Sequence, residues 1–529
     1  MMKRVYRYMI CAVIAVLIAY GNIMAGNNLV QRIVPEAIGT EKSVQTVPAA
    51  VLEGIERESA YLKNKILNST NLLDSIVPEG TIYYISPNGN DSNPGKFEEG
   101  AWSSLIRVNE TEFMPGDIVC FERGGVWRGQ LRAREGVTYT AYGNGDKPKI
   151  YGSPENAASP EKWIKETENI YRYYKPLKSD VGTLVFNDGE EHAIKAILRT
   201  EADGKTFNNT TGEPFMNYRD LKHDLHFYHD YKGNGNVYLY SVKGNPGERF
   251  SGIELNVKGN IIQITGDGVT IDNLCIKYGG SHGVGSGTTK NLKVQYCELG
   301  WIGGSIQAEG IYGRNYPTRF GNAVEIWGGC ENYTVDHCWI YQVYDAAVTQ
   351  QFYIQENSNP VLMRNIRYSN NLMEYCNYGV EYFLGKMSGT SKIDDSNPTQ
   401  SKDMIDNMVI ERNIISHIGR GFSQQRPDKD QAAHIKSWNH HNPAKNCLIQ
   451  DNVFEDSTDM IIHIASSFSG ALPRMDGNLY LQKKGEELGI YGINPECKRI
   501  IYDEETADFI HGPGLGDKNA KVFFISSEE

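Results

Sequence analysis

The chain has 529 residues, a formal net charge of −12, 54 glycines and 32 tyrosines. That length allows a large core and more than one folding unit, and the glycine and tyrosine content suits a turn-rich β protein. The negative balance gives no overall field to attract nucleic acid or an acidic polymer, and no basic stripe with interleaved aromatics appears.

Met1 to Ala25 reads as a secretory signal. Lys3, Arg4 and Arg7 make a basic start, Met9 to Ala19 is apolar, and Ala25 is a small residue suited to cleavage. The apolar run is short for a membrane span, and Cys11 lies too early for a lipoprotein box. The expectation is an exported protein: periplasmic, cell-surface or extracellular. Eight cysteines follow the signal. Cys297 and Cys338 fall at equivalent strand positions, so they are expected as buried, stacked small hydrophobes rather than disulfides. No Cys/His cluster has zinc spacing.

Residues 26–78 are expected to form a linker and one helix, since Val51, Leu52, Ile55, Leu62, Ile66 and Leu67 follow helical spacing. The helix is expected to pack on one end of the main fold.

Residues 79–152 contain Ile82-Tyr-Tyr-Ile-Ser-Pro-Asn-Gly-Asn-Asp91, Trp102-Ser-Ser-Leu, Met114-Pro-Gly-Asp-Ile-Val-Cys-Phe121 and Gly124-Gly-Val-Trp-Arg-Gly-Gln-Leu131. This resembles the first coils and cap of pectate-lyase-like β-helix proteins, with their Tyr-Tyr-Val-Ser-Pro-Asn-Gly-Asn-Asp, Pro-Gly-Asp and Phe-x-x-Gly-Gly pattern. A solenoid needs such a cap over its bare apolar end. The resemblance implies a fold that hosts lyases, hydrolases, epimerases and adhesins, so it does not choose a reaction.

Residues 153–252 break the pattern and read as a small β-rich insertion. His223, His226 and His229, beside Asp220, Asp224 and Asp230, invite a metal reading, but a solvated loop is favoured.

Residues 253–470 carry the repeats. Val269–Ile276, Leu292–Leu299, Tyr333–Ile340, Ile366–Met373, Met408–Ile415 and Cys447–Phe454 share one shape. They align Ile271, Val294, Val335, Tyr368, Ile410 and Ile449 in one column and Ile276, Leu299, Ile340, Met373, Ile415 and Phe454 in another. Alternation within each run predicts a strand, and recurrence every 23 to 42 residues predicts stacked coils with loops of varying length. The fold class is therefore all-β: a right-handed, single-stranded parallel β-helix. A propeller or sandwich is disfavoured because no hairpin turn joins successive runs. Asn371, Asn413 and Asn452 fit an asparagine ladder at a turn. The glycine-rich stretch from Gly279 is a solenoid turn rather than a nucleotide loop. Long loops at 301–320 and 385–403 interrupt the coils, the first expected to be ordered and the second mobile. Residues 471–529 supply a last coil, tail and cap.

The second run of each coil aligns as Ala323–Trp327, Ala347–Gln351, Gly379–Phe383, Gly421–Gln425 and Ile461–Ala465. Parity turns Val324, Val348, Val380, Phe422 and Ile462 inward. It leaves Glu325, Thr349, Glu381, Ser423 and His463 as one exposed row, with Trp327, Gln351, Phe383 and Gln425 beside it. Coils stack about 4.8 Å apart, so Glu325 and Glu381, two coils apart, stand on the order of 9–10 Å from each other. That is near the roughly 6.5–9.5 Å of an inverting glycosidase pair. One carboxyl would protonate the leaving oxygen and the other activate water. Asp345 is the reserve acid, and Trp327 and Phe383 offer stacking faces for sugar rings.

A polysaccharide lyase is the rival: His463, His434 or His282 as base, and Arg314, Arg319, Arg420, Arg426 or Lys436 to neutralise a uronate. No cofactor is required for hydrolysis, although Glu325, Asp345 and Glu381 could hold calcium. The calcium and arginine motifs of pectate lyases and the twin aspartates of polygalacturonases are absent. A non-catalytic glycan-binding protein is the third class. The expected partner is a polysaccharide or oligosaccharide, bound by a monomer with no membrane span in its mature chain.

Overall fold

The computed structural model describes residues 28–35, 38, 44–354, 359–386, 404–427, 431–438, 444–466, 469–493 and 496–526. The signal sequence and nearly all of the 385–403 loop lie outside the described residues.

The chain winds into a parallel β-helix. One column of inward side chains runs Ile271, Val294, Val335, Tyr368, Ile410, Ile449 and Met475, each paired in parallel register with the next. A second face stacks Ile276, Leu299, Ile340, Met373, Ile415, Phe454 and Tyr480. A third stacks Leu131, Ile262, Val284, Val324, Val348, Val380, Ile435 and Ile462. These columns meet in a single buried core. No coil could bury its apolar side chains alone, so each supplies the floor of the next.

The turn between the first two faces has one physical solution, repeated. A residue in left-handed backbone geometry bends the chain: Asn273, Tyr296, His337, Asn370, Arg412 and Asp451, with φ between 49° and 60°. That geometry is unfavourable for most side chains and persists only where neighbours enforce it. The next residue enforces it. Asn371 donates through Nδ2 to Asn413 Oδ1 at 2.9 Å, Asn413 to Asn452 at 2.9 Å, and Asn452 to Asn478 at 3.0 Å. The ladder is longer than the sequence predicts, ending on Asp517 at 2.8 Å from Asn478 Nδ2. Upstream, Cys338 and Cys297 take the same place, buried and unoxidised as predicted. The described cysteines are all free thiols.

The N-terminal helix Ala49–Leu67 forms as predicted, but it does not cap an end. It lies along the flank of the solenoid. Leu29 and Val30 donate to Asp451, Lys63 sits 3.6 Å over the Trp339 ring, and Ser69 reaches Asn273 at 2.8 Å. Val51, Ile55 and Ile66 cover Leu372, Ile414 and Val453, which begin their strands and face away from the core. An amphipathic helix must bury its stripe, and this outer apolar column is the available surface. The end of the solenoid is instead extended by Gln45–Thr46, which pairs in parallel with Lys521–Ile525.

The insertion has its own five-stranded sheet and its own core around Trp163, Tyr173 and Phe227. Its strand Val181–Phe186 pairs antiparallel with Ile253–Val257, which ties it to the solenoid. His226–His229 is a strand here, not a loop. His229 is buried against Asp180, 3.3 Å away, while His223 is exposed and pairs with Glu213 at 2.8 Å.

Candidate active site

One outward column of the third face reads Gly285, Glu325, Thr349, Glu381, Lys436, His463 and Ile490. Glu325, Thr349, Glu381 and His463 thus share one column, as their parity predicts. Ser423 is not part of it. The segment Gly421–Gln425 is a short 3-10 helix, and the fourth rung is the strand Ala433–Ser437. Lys436 therefore follows Glu381. Both segments offer an apolar residue followed by a polar one, so alternation alone could not tell them apart.

The row is also not exposed. Glu325 is 6% accessible, Glu381 4% and Thr349 0%. Burial changes the electrostatics, because a carboxylate removed from water ionises only where partners compensate. For Glu325, burial works against charge, but the His282 ring, 2.6 Å from Oε2, and the Asn322 amide at 2.8 Å outweigh it. They hold Glu325 below its ordinary pKa. His282 is correspondingly raised: burial opposes its charge, yet Glu325 and then Asp345 favour it.

Glu381 has the opposite environment. Burial first, then the charge of Asp345, push its carboxyl up to about 8. The indole of Trp438 donates to its Oε1 at 2.5 Å and only moderates the rise. Arg426 also lowers the value and Glu325 raises it, both less than Asp345 does. Asp345 is thus the carboxylate that acts most strongly on Glu381. It is itself held by Arg426, Nη1 to Oδ1 2.5 Å, with both side chains buried.

The backbone that delivers these groups is tightly constrained. Gly303 and Gly321 cross where the Ser305–Ala308 and Thr318–Phe320 hairpin leaves and rejoins its coil. This hairpin lies within the 301–320 loop. A Cβ on Gly321 would lie 2.1 Å from the Gly303 Cα, so the crossing excludes any side chain there. The Gly321 carbonyl accepts the backbone N–H of Asp345 at 3.2 Å, and Asn322 follows it. One crossing therefore positions both Asp345 and the amide on Glu325.

The remaining predicted residues divide. Trp327, Gln351 and Phe383 do share the neighbouring row. Trp327 is 43% accessible, whereas Phe383 is buried against Tyr353 and the edge of Trp327. Gln425 is off the row: its Nε2 donates to Ala193 O at 3.0 Å in the insertion, and its Oε1 faces Arg319. Arg420 is not at the acids either, being paired at 2.6 and 2.9 Å with Asp456. His463 Nδ1 meets Lys436 Nζ at 2.5 Å, and burial followed by that ammonium pushes the ring down to about 3. His434 lies between coils against Phe454 and the Glu455 carbonyl. Among the described residues no group of three His, Cys, Asp or Glu side chains is placed to hold a metal ion. Trp438 and Asn322 join the site without a signal in the repeat alignment. Trp438 follows Lys436 by two and becomes legible only once Ala433–Ser437 is known to be the fourth rung.

No protein-family model matches the chain. A lacto-N-biosidase of Bifidobacterium longum subsp. longum is 36% identical over 142 residues, which cover 24% of this chain and 9% of that protein. The match thus spans under a tenth of the relative's length. Among solved structures, XylC with xylose is 12% identical at a TM-score of 0.43, covering 80% of this chain and 74% of that one. A GH136 lacto-N-biosidase from Eubacterium ramulus is 13% identical at 0.38, covering 90% and 71%. Pectate lyase Pel9A is 11% identical at 0.41, covering 80% and 73%. The fold rests on the ladders of the chain itself. Among the described residues no helix is long and apolar enough to cross a membrane.

Proposed function

We propose that the chain is an exported glycoside hydrolase acting on a polysaccharide or oligosaccharide. Glu381 is the general acid and Glu325 the general base. The observation that supports this is the divergence of two carboxyls in one column, Glu381 held protonated and Glu325 held ionised. Pairs of acids whose environments drive their pKa values apart are how one site supplies both a proton and a base. Glu381 would protonate the leaving glycosidic oxygen as Glu325 draws a proton from water on the opposite side of the ring. Two rungs separate them, on the order of 9–10 Å between backbones. Thr349 stands on the rung between, and its buried hydroxyl has no hydrogen-bond partner among the described residues. Burial and the charge of Asp345 together keep Glu381 protonated. The partial match to a lacto-N-biosidase is consistent with glycosidic bond cleavage.

The test is product analysis on a panel of neutral and uronic-acid glycans, read by reducing ends and by the ultraviolet absorbance of an unsaturated product. Reducing ends without absorbance support hydrolysis. Absorbance means β-elimination and overturns the assignment.

A further inference from the structure

The insertion and the Ser305–Phe320 hairpin meet at Arg426, the partner of Asp345, and line a cavity of about 180 Å³. Thr210 comes from the insertion, Thr318 and Arg319 from the hairpin, and Tyr344, Gln425 and Arg426 from the solenoid corner. The space is far larger than the roughly 10–15 Å³ that seats one water. It adjoins a larger cleft of about 380 Å³ and shares Ile197, Arg314, Tyr316 and Pro317 with it.

Among the described residues no carboxylate lines this cavity. Arg426 is paired with Asp345, and Lys195 with Asp180 at 2.5 Å. Arg319 is 5% accessible, and no carboxylate among the described residues pairs with it. Its Nε donates to Gly304 O at 2.5 Å and its Nη2 to Gly182 O at 2.9 Å. Toward the cavity, among the described residues, both terminal nitrogens find the Gln425 amide oxygen, 3.4 Å away. The guanidinium rests on the Tyr344 ring at 4.4 Å. Thr318 is 2% accessible, and its hydroxyl has no hydrogen-bond partner among the described residues. A buried cation without a counter-ion is costly, and a neutral amide at long range compensates it poorly.

We infer that this cavity seats a compact anion carried by the substrate, a carboxylate or a sulfate half-ester on a sugar. A guanidinium fork matches either group, and Thr318, beside Arg319 in the cavity wall, carries a hydroxyl without a partner among the described residues. This deepens the hydrolase assignment and rests on it for the word sugar. The substrate class is then an acidic oligosaccharide whose charged unit sits in the cavity, one arginine away from Asp345. The insertion supplies the wall that makes the seat.

The experiment is titration calorimetry of the mature protein with glucuronate, galactose 6-sulfate, glucose and galactose. One acidic sugar is expected to bind at least about tenfold more tightly than its neutral counterpart, and which one does so identifies the anion. Arg319→Lys keeps the charge but loses the fork, and should weaken that binding about tenfold. Thr318→Val is the milder second variant if Arg319→Lys fails to fold. Glu381→Gln should retain the binding while losing hydrolysis. Equal binding of acidic and neutral sugars, or acidic-sugar binding unchanged in both cavity variants, overturns the anion seat. Acidic-sugar binding with no hydrolysis of any glycan overturns the hydrolase assignment and leaves the seat standing. Hydrolysis of neutral glycans with no preference for acidic sugars does the reverse.

Discussion

Glu325 and Glu381 stand in one column of a parallel sheet, joined rung to rung through Thr349. The same backbone geometry presents both, yet His282 holds one charged while burial and Asp345 hold the other neutral. Their chemical difference lies in what surrounds them.

Glu381→Gln and Glu325→Gln should each lower kcat by about 10²- to 10⁴-fold, the usual weight of a general acid or base. Thermal midpoints should stay close to wild type for Glu381→Gln below pH 4.5, since a neutral amide there replaces an acid that is neutral in both folded and unfolded chains. Proton NMR of the first-formed sugar should show inversion. Retention would instead make Asp345 the nucleophile.

The pH profile follows from Glu381. Its acid form is the working form, so kcat/KM should fall as pH rises through about 8. Asp345→Asn removes the strongest charge acting on it, and the alkaline limb should move to lower pH. A limb that does not move would separate Asp345 from Glu381.

Stability carries the same signature without any substrate. Glu381 is raised from an ordinary value of 4.5 to about 8 in the folded state. The folded chain therefore keeps a proton that the unfolded chain releases between those values. The contribution is fully present below pH 4.5 and is lost as pH rises toward 8. Tm of Glu381→Gln relative to wild type should climb across that window. A flat difference in calorimetric scans would show that Glu381 ionises normally.

The asparagine ladder should carry measurable stability. Asn413→Ala removes amide bonds to Asn452 and to the Tyr368 carbonyl and leaves Asn371 without its acceptor. Leaving buried groups unsatisfied costs about 1–3 kcal/mol. Urea unfolding should show that loss.

The flanking helix should prove integral. Ile55 is buried between the helix and the outer apolar column. Ile55→Ala should cost about 2–5 kcal/mol, with a cavity left behind. A loss below about 1 kcal/mol in denaturant melts would mean the helix is peripheral.

The column from Ile271 to Ile449 is legible in register because side chains in a strand alternate with period two and each coil repeats the pattern. Glu325, Thr349 and Glu381 follow by the same parity. Ser423 fails because Gly421–Gln425 imitates a strand and the true rung lies after an intervening loop. Parity also cannot report exposure. It distinguishes inward from outward, while burial of the outward face depends on what packs over it.

The solenoid, its ladder and the column that carries the two glutamates are written in the order of residues, because stacking in a β-helix is set by short-range alternation repeated coil after coil. Long-range packing settles the rest: Lys436 as the fourth rung, His282 and Arg426 claiming Glu325 and Asp345, the helix along the flank, and the insertion closing a cavity over Arg319. Those pairings join segments separated by loops of unequal length, and a carboxyl's charge depends on the water and partners left to it, which no local pattern records.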